Sequence, residues 1–388
     1  MIFRVGAIMR RNGPFGFIRS ETAMKDASAA KTRSVYLDLL RIIACLMVIF
    51  NHTNERGFYR FPADDLGSAS FFLDMTMSII CKAGVPLFFM ISGALLIDKE
   101  ESWKSTFRRM IRIGIDLFVF SLLYFWIDSL LLGTPFSLPD TLSAMVGSNY
   151  WHLWYLYAYL VFLLALPVLR KLASGLDRKT SVYLLILAGA FMAFFPVLSE
   201  FLPTGLNENL NIPWIVSNIF TYPMAGYILV KKILEETFTG KRIGLLWLLN
   251  LCCFILGEVI EYQFLLRTPE QLGDMSGRYF DERFLINFCL VNAVTLFVTI
   301  RFLMKRAKLP GLLQRLIQEA GKDTFGIYLL HIWFLWKIPF LYGIWMRIEH
   351  TGVFGYHFGV LISCLLTFVL AGLLTAVLRR IPLIKKLF

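Results

Sequence analysis

Apolar residues gather along the chain in ten blocks, at about 35–54, 70–97, 111–132, 153–169, 182–199, 212–230, 243–264, 284–304, 324–346 and 353–378. Most are long enough to cross a bilayer as a helix, which takes about 20 residues. The block at 153–169 is the shortest and must borrow its flanks. The pattern predicts an all-α integral membrane protein, a bundle of about ten transmembrane helices over 35–378. Basic tails at 1–34 and 379–388 flank it. The first tail has no long apolar stretch of the kind a cleaved signal carries, so it is expected to be a mobile cytoplasmic segment. Met24 is an alternative start.

Composition agrees with this pattern. The chain has 388 residues, 57% of them hydrophobic, a mean hydropathy of +0.64 and only 17% charged residues. Soluble domains carry about 25% charged residues. The placement of Lys and Arg sets the orientation. With the N-terminus cytoplasmic, the inner segments hold 30 of the 39 basic residues and the outer ones only six. Both termini are then expected in the cytoplasm. The net charge of +12 follows from this topology and calls for no nucleic-acid partner. All six cysteines lie in apolar blocks, with neither zinc spacing nor a disulfide framework, so no metal is expected. Cys45 reads as a small buried hydrophobe.

The polar residues inside the blocks carry the chemistry. An ionisable side chain in a membrane helix costs about 2.5–3.5 kcal/mol and marks a functional site by default. The first block holds Arg41 and His52, with only Asn51 polar between them. Eleven residues turn a helix through about three full turns, so the pair shares one face about 16 Å apart. Asp38 lies three residues before Arg41, placed to hold its guanidinium or to mark the interface. His152 opens the fourth block among aromatic residues, as either an interfacial or an outer-side polar group. His331 lies in the inner half of the ninth block, on a helix–helix contact or a polar path. Lys82 sits inside the second block, to pair with Asp74 or to line a cavity. Pro86 can kink that helix, and Ser92 and Gly93 allow close packing. The stretch 98–112 reads as a basic interfacial helix or an ordinary positive-inside loop. A polyphosphate ligand would favour Arg108, Arg109 and Arg112.

Four of these pieces, in order, resemble the acyltransferase-3 family of membrane acyltransferases. They are Arg41 through His52, Val85-Pro86-Leu-Phe-Phe-Met-Ile-Ser92-Gly93, His152-Leu-Trp154-Tyr155, and Gly326-Ile-Tyr328-Leu-Leu-His331. The pattern is most similar to the surface-glycan O-acetyltransferase subgroup that includes the enterobacterial-common-antigen enzyme. The resemblance implies a multi-pass protein of the bacterial plasma membrane with no bound cofactor. It implies transfer of acetyl from cytoplasmic acetyl-CoA to a hydroxyl of a surface or lipid-linked glycan. The expected partners are the bilayer, acyl-CoA and that glycan.

On this reading His52 is the general base toward the acceptor hydroxyl, and a neutral imidazole suits it. Arg41, oriented by Asp38, would hold the donor or stabilise charge developing on the thioester carbonyl. Tyr328 and His331 would line the donor path and His152 the acceptor side. An acyl-histidine intermediate on His52 is the two-step alternative. The competing class is a glycan exporter without chemistry, in which the same Arg, His and Lys side chains line a translocation path.

Overall fold

The computed structural model describes residues 34–133, 135–147, 151–202, 205, 207, 217–233, 235–273, 288–350, 355–382 and 384–387. The tail before Ser34, Met24 with it, lies outside these residues. Among the described residues all regular structure is helical.

In chain order the helices are α1 (Val35–Asn51), α2 (Ala69–Lys82), α3 (Gly84–Leu96), α4 (Trp103–Leu132), α5 (Leu138–Gly147), α6 (Trp154–Ser174), α7 (Arg178–Gly189), α8 (Phe195–Glu200), α9 (Thr221–Lys231), α10 (Gly240–Arg267), α11 (Cys289–Arg306), α12 (Gly311–Ile332), α13 (Pro339–His350) and α14 (Gly355–Leu378). A π-helical turn, Ala190–Phe194, joins α7 to α8. Six stretches are long and apolar enough to cross a membrane: Ala69–Leu96, Trp103–Leu132, Trp154–Ser174, Arg178–Ser199, Gly240–Arg267 and Gly355–Leu378. The segment from Gly311 to His350 is a further candidate, bent by 77°. The helices of the other three apolar blocks, α1, α9 and α11, are shorter or more polar. Outward-facing Leu245, Leu248, Leu251, Ile255 and Val259 form an apolar stripe on α10. A stripe of that kind belongs in lipid rather than water.

Three boundaries differ from the sequence reading, each for a local reason. The second block is two helices broken at Ala83, three residues before Pro86. A proline ring clashes with the carbonyl four residues earlier, here that of Lys82. The basic stretch 98–112 is not a separate interfacial helix. Its second half opens α4, a continuous helix of 30 residues. The ninth block is interrupted by a π-helical turn at Trp333–Lys337, then bends at Ile338, which is extended at φ −96° and ψ 105°. The bend follows from Pro339, because the residue before a proline is steered away from helical geometry.

The centre of the bundle is α1, packed on α12, α3, α14, α2 and α11. Along α12 it sets Asp38 against Gly321, Cys45 against the Thr324 carbonyl, and His52 against His331. The two helices therefore run in the same direction. A β-carbon on Gly321 would lie 2.6 Å from that of Asp38, so glycine is required for this approach. The tightest helix pair is α3 with α9. A β-carbon on Gly93 would fall 1.9 Å from the Pro223 carbonyl oxygen, and one on Gly226 would fall 1.9 Å from that of Met90. Small residues let membrane helices touch backbone to backbone. Either Gly93→Ala or Gly226→Ala is therefore expected to cost at least about 1–3 kcal/mol by overpacking. Gly114→Ala, with open space around its β-carbon, should be neutral or slightly stabilising. Thermal unfolding of the three purified variants in detergent checks the ranking.

Candidate active site

The site has two parts, a basic pocket and a histidine cluster, with Tyr328 touching both. The pocket opens where α1 begins and has a volume of about 380 Å³. Four cations line it: Arg41 from α1, Arg109 and Arg112 from α4, and Lys322 from α12. Its remaining wall is mostly apolar and aromatic, with Phe88, Ile113, Tyr155, Tyr159, Phe325 and Tyr328 among the lining residues.

Each of these cations has a carboxylate near it, buried or nearly so for the three arginines and exposed for Lys322. Asp38, fully buried, binds Arg41 at 2.5 Å. Glu101 takes Arg109 in a two-pronged grip of 2.8 and 2.7 Å and also accepts from Arg170 at 3.3 Å. Burial pushes the Glu101 carboxyl up, but hydrogen bonds from Lys99 and Arg109 outweigh it and hold the pKa at about 2. This anion therefore stays charged and keeps the Arg109 fork in place. Arg112 lies 4.0 Å from Asp116, and Lys322 pairs with Glu319 at 2.5 Å.

Helix geometry explains which arginines reach the pocket. The buried stripe of α4 runs through Ile113, Asp116, Leu117, Phe120 and Tyr124. Arg109 and Arg112 extend that stripe toward the helix start. Arg108 is rotated about 100° from Arg109 and is exposed, outside the pocket lining. Of the three arginines, the pocket lining brings together Arg109 and Arg112 and leaves out Arg108. Ser92 also lines the pocket, its hydroxyl donating to the Phe88 carbonyl at 2.8 Å, so the packing role belongs to Gly93. Lys322, Tyr159, Thr324 and Phe325 were not singled out from sequence. The Tyr155–Tyr159 spacing of four residues was the one available signal.

The histidines converge at the other end of α1. His52 caps that helix and is 7% exposed, whereas His331 is wholly buried. His52 Nδ1 and His331 Nε2 are 2.9 Å apart, with ring centroids at 4.8 Å. His331 Nδ1 lies 2.6 Å from the Tyr328 carbonyl oxygen. The Trp336 indole N–H donates to the His52 carbonyl at 2.7 Å. His152 is buried, and its ring stands edge-on to those of Tyr124 at 4.4 Å and His331 at 6.3 Å. The Tyr328 hydroxyl donates to the His152 carbonyl at 2.7 Å. Tyr124 donates to the Leu329 carbonyl at 3.0 Å, tying α4 to α12 beside the cluster.

Every candidate except Arg108 therefore falls in the pocket, in the histidine cluster or directly behind them. His331 is not on the pocket wall; it lies behind His52. The suggested Lys82–Asp74 pair does not form. Asp74 binds His357 at 2.6 Å and lies 3.6 Å from Arg60, while the Lys82 ammonium stands 5.4 Å from the centre of the Phe58 ring.

A multi-pass helical bundle with an anion-ready pocket beside a buried imidazole pair defines a membrane protein equipped for group transfer. The chain belongs to the acyltransferase-3 family: that family's model, an acyltransferase domain, matches residues 34–376. Membership makes it a membrane acyltransferase. No curated protein and no solved structure matches the chain.

Proposed function

We propose that the chain is a ten-span O-acetyltransferase of the bacterial plasma membrane, both termini cytoplasmic, acting in the manner of the surface-glycan subgroup. It would take acetyl from acetyl-CoA at the cytoplasmic face and deliver it to a hydroxyl of a surface or lipid-linked glycan. The observation that carries this reading is the adjacency of the four-cation pocket and the His52–His331 pair, joined through Tyr328. A polyphosphate and a hydroxyl need different surroundings, and these two compartments differ in that way. Arg109, Arg112 and Lys322 come from segments that the positive-inside pattern assigns to the cytoplasmic side, and Arg41 from the inner half of the first block. Tyr155, Tyr159 and Phe88 offer flat surface for a base or the pantetheine arm.

The chemistry needs little beyond placement and one proton transfer, because a thioester is already activated. His52 accepts the proton of the acceptor hydroxyl as its oxygen attacks the thioester carbonyl. Arg41 lines the pocket about three helical turns from His52, so its charge holds the phosphates of the donor rather than the reacting carbonyl. The carbon–sulfur bond then breaks, the coenzyme A thiolate leaves and takes up a proton, and the ester remains on the glycan.

Donor recognition gives a graded test. Arg109→Gln and Arg112→Gln should each raise KM for acetyl-CoA by about 10–100-fold, the scale of one lost charged hydrogen bond. Arg41→Ala should weaken donor binding as well, whereas Arg108→Gln should leave KM within about twofold, as a surface substitution does. Steady-state kinetics of the purified variants measures all four. Equal effects from Arg108 and Arg109 would contradict the pocket as the donor site. In cells, deletion of the gene should remove acetyl from the glycan mass profile without removing the glycan itself.

A further inference from the structure

The histidine pair carries more information than its distance. A carbonyl oxygen can only accept, so His331 Nδ1, 2.6 Å from the Tyr328 oxygen, must bear hydrogen. Among the described residues no carboxylate touches the His331 ring, which is completely buried. A lone cation there would be costly, so both imidazoles are neutral at rest. With Nδ1 protonated, His331 Nε2 carries the lone pair. The 2.9 Å contact then requires His52 Nδ1 to be the donor. This leaves Nε2 as the basic nitrogen of His52.

We infer that His331 is a positioning residue that fixes His52 in its Nδ1–H tautomer and thereby makes His52 Nε2 the atom that takes the acceptor proton. The inference rests on His52 being the base of the proposed reaction. The order is Tyr328 carbonyl, His331 N–H, His331 lone pair, His52 N–H, His52 lone pair. When His52 Nε2 takes the hydroxyl proton it becomes an imidazolium whose Nδ1–H still donates to the His331 lone pair. The charge created in the step thus forms against an acceptor already in place. In this arrangement a neutral imidazole does the orienting work that a carboxylate does in a Ser-His-Asp triad. The Trp336 bond to the His52 carbonyl fixes the backbone at the same point. His52 and His331 lie 279 residues apart in sequence, so the pair exists only in the folded bundle.

Two readouts on the full-length protein in detergent test the inference. The chain has only five histidines, so nitrogen-15 histidine labelling gives spectra assignable by single substitutions. Wild-type protein should show both His52 and His331 as Nδ1–H tautomers, and in His331→Leu the His52 signal should leave that form. A wild-type His52 found as Nε2–H overturns the inference, whatever the activity. The second readout is acetyl transfer. His331→Leu should lower kcat by at least about 100-fold with KM for acetyl-CoA unchanged, the scale of a displaced general base. His331→Gln, whose amide oxygen reaches the Nε2 position, should recover most of that loss. A Leu variant with wild-type kcat, or one affected only in KM, overturns the positioning role, as does a Gln variant no better than Leu. If the Leu variant does not fold, the wild-type spectrum and the Gln variant still decide. Absence of transfer by the wild type would sink the proposed reaction instead, and the spectra would still report on the tautomers.

Discussion

On the proposed mechanism, purified His52→Ala protein should lose acetyl transfer by about 10²–10⁴-fold, the contribution of a positioned general base. The expectation follows from the site's construction. His52 is the residue at which α1 ends, its backbone N–H bonded to the Val48 and Ile49 carbonyls and its own carbonyl to Trp336. Those backbone bonds survive truncation to alanine, so the helix end and the bundle should persist. The stability cost is confined to the His331 nitrogen that loses its donor, about 1–3 kcal/mol for a buried unsatisfied group. Acyl-CoA binding should be unchanged, because His52 is not on the pocket wall. Transfer kinetics alongside donor binding separates these effects. A variant that binds donor normally yet retains full turnover would remove His52 from the mechanism.

Glu349→Ala should destabilise the protein by about 3–5 kcal/mol, the cost of leaving a buried charge without its partner. Glu349 pairs with Arg56 at 2.8 Å, and both side chains are almost completely shielded. Arg56 also reaches the Leu335 carbonyl at 3.4 Å and lies 4.5 Å over the Trp336 ring. The pair thus ties the segment after α1 to both sides of the bend between α12 and α13. That bend carries Trp336, which holds the His52 backbone, so activity should fall together with stability. Arg56→Ala should behave similarly. Replacing both charges, as in Arg56→Met with Glu349→Leu, should recover much of the stability, since a buried ion pair is often no better than packed apolar groups. Thermal unfolding in detergent of the single and double variants checks this, and additive losses in the double variant would contradict the coupling.

The sequence pattern located helices at all ten apolar blocks because burial, in lipid or inside the bundle, writes itself into composition. It was less informative where helix and apolar block do not coincide. Helix α12 begins at Gly311, in a polar stretch that includes Gln314, Arg315, Gln318 and Glu319, so Lys322 lies before the ninth apolar block and no pattern marks it as a pocket residue. Arg108 and Arg109 are neighbours in sequence, and only the phase of α4, set by its buried stripe, separates Arg108 from the pocket face. The Arg41–Asp38 pair was legible because it is local, three residues on one helix. The His52–His331 contact was not, since helical periodicity places each side chain on a polar face without saying which faces meet. The Glu349–Arg56 pair was hidden for the same reason.

The proposed reaction moves an acyl group from a donor on one side of the membrane to a hydroxyl on the other. Sealed vesicles containing the oriented full-length protein isolate that step, with labelled acetyl-CoA only at the cytoplasmic face and glycan acceptor only at the outer face. Labelled ester should form on the outer glycan, with one coenzyme A thiol released at the donor face for each acetyl transferred. Movement of unmodified glycan across the membrane without consumption of acetyl-CoA would contradict it.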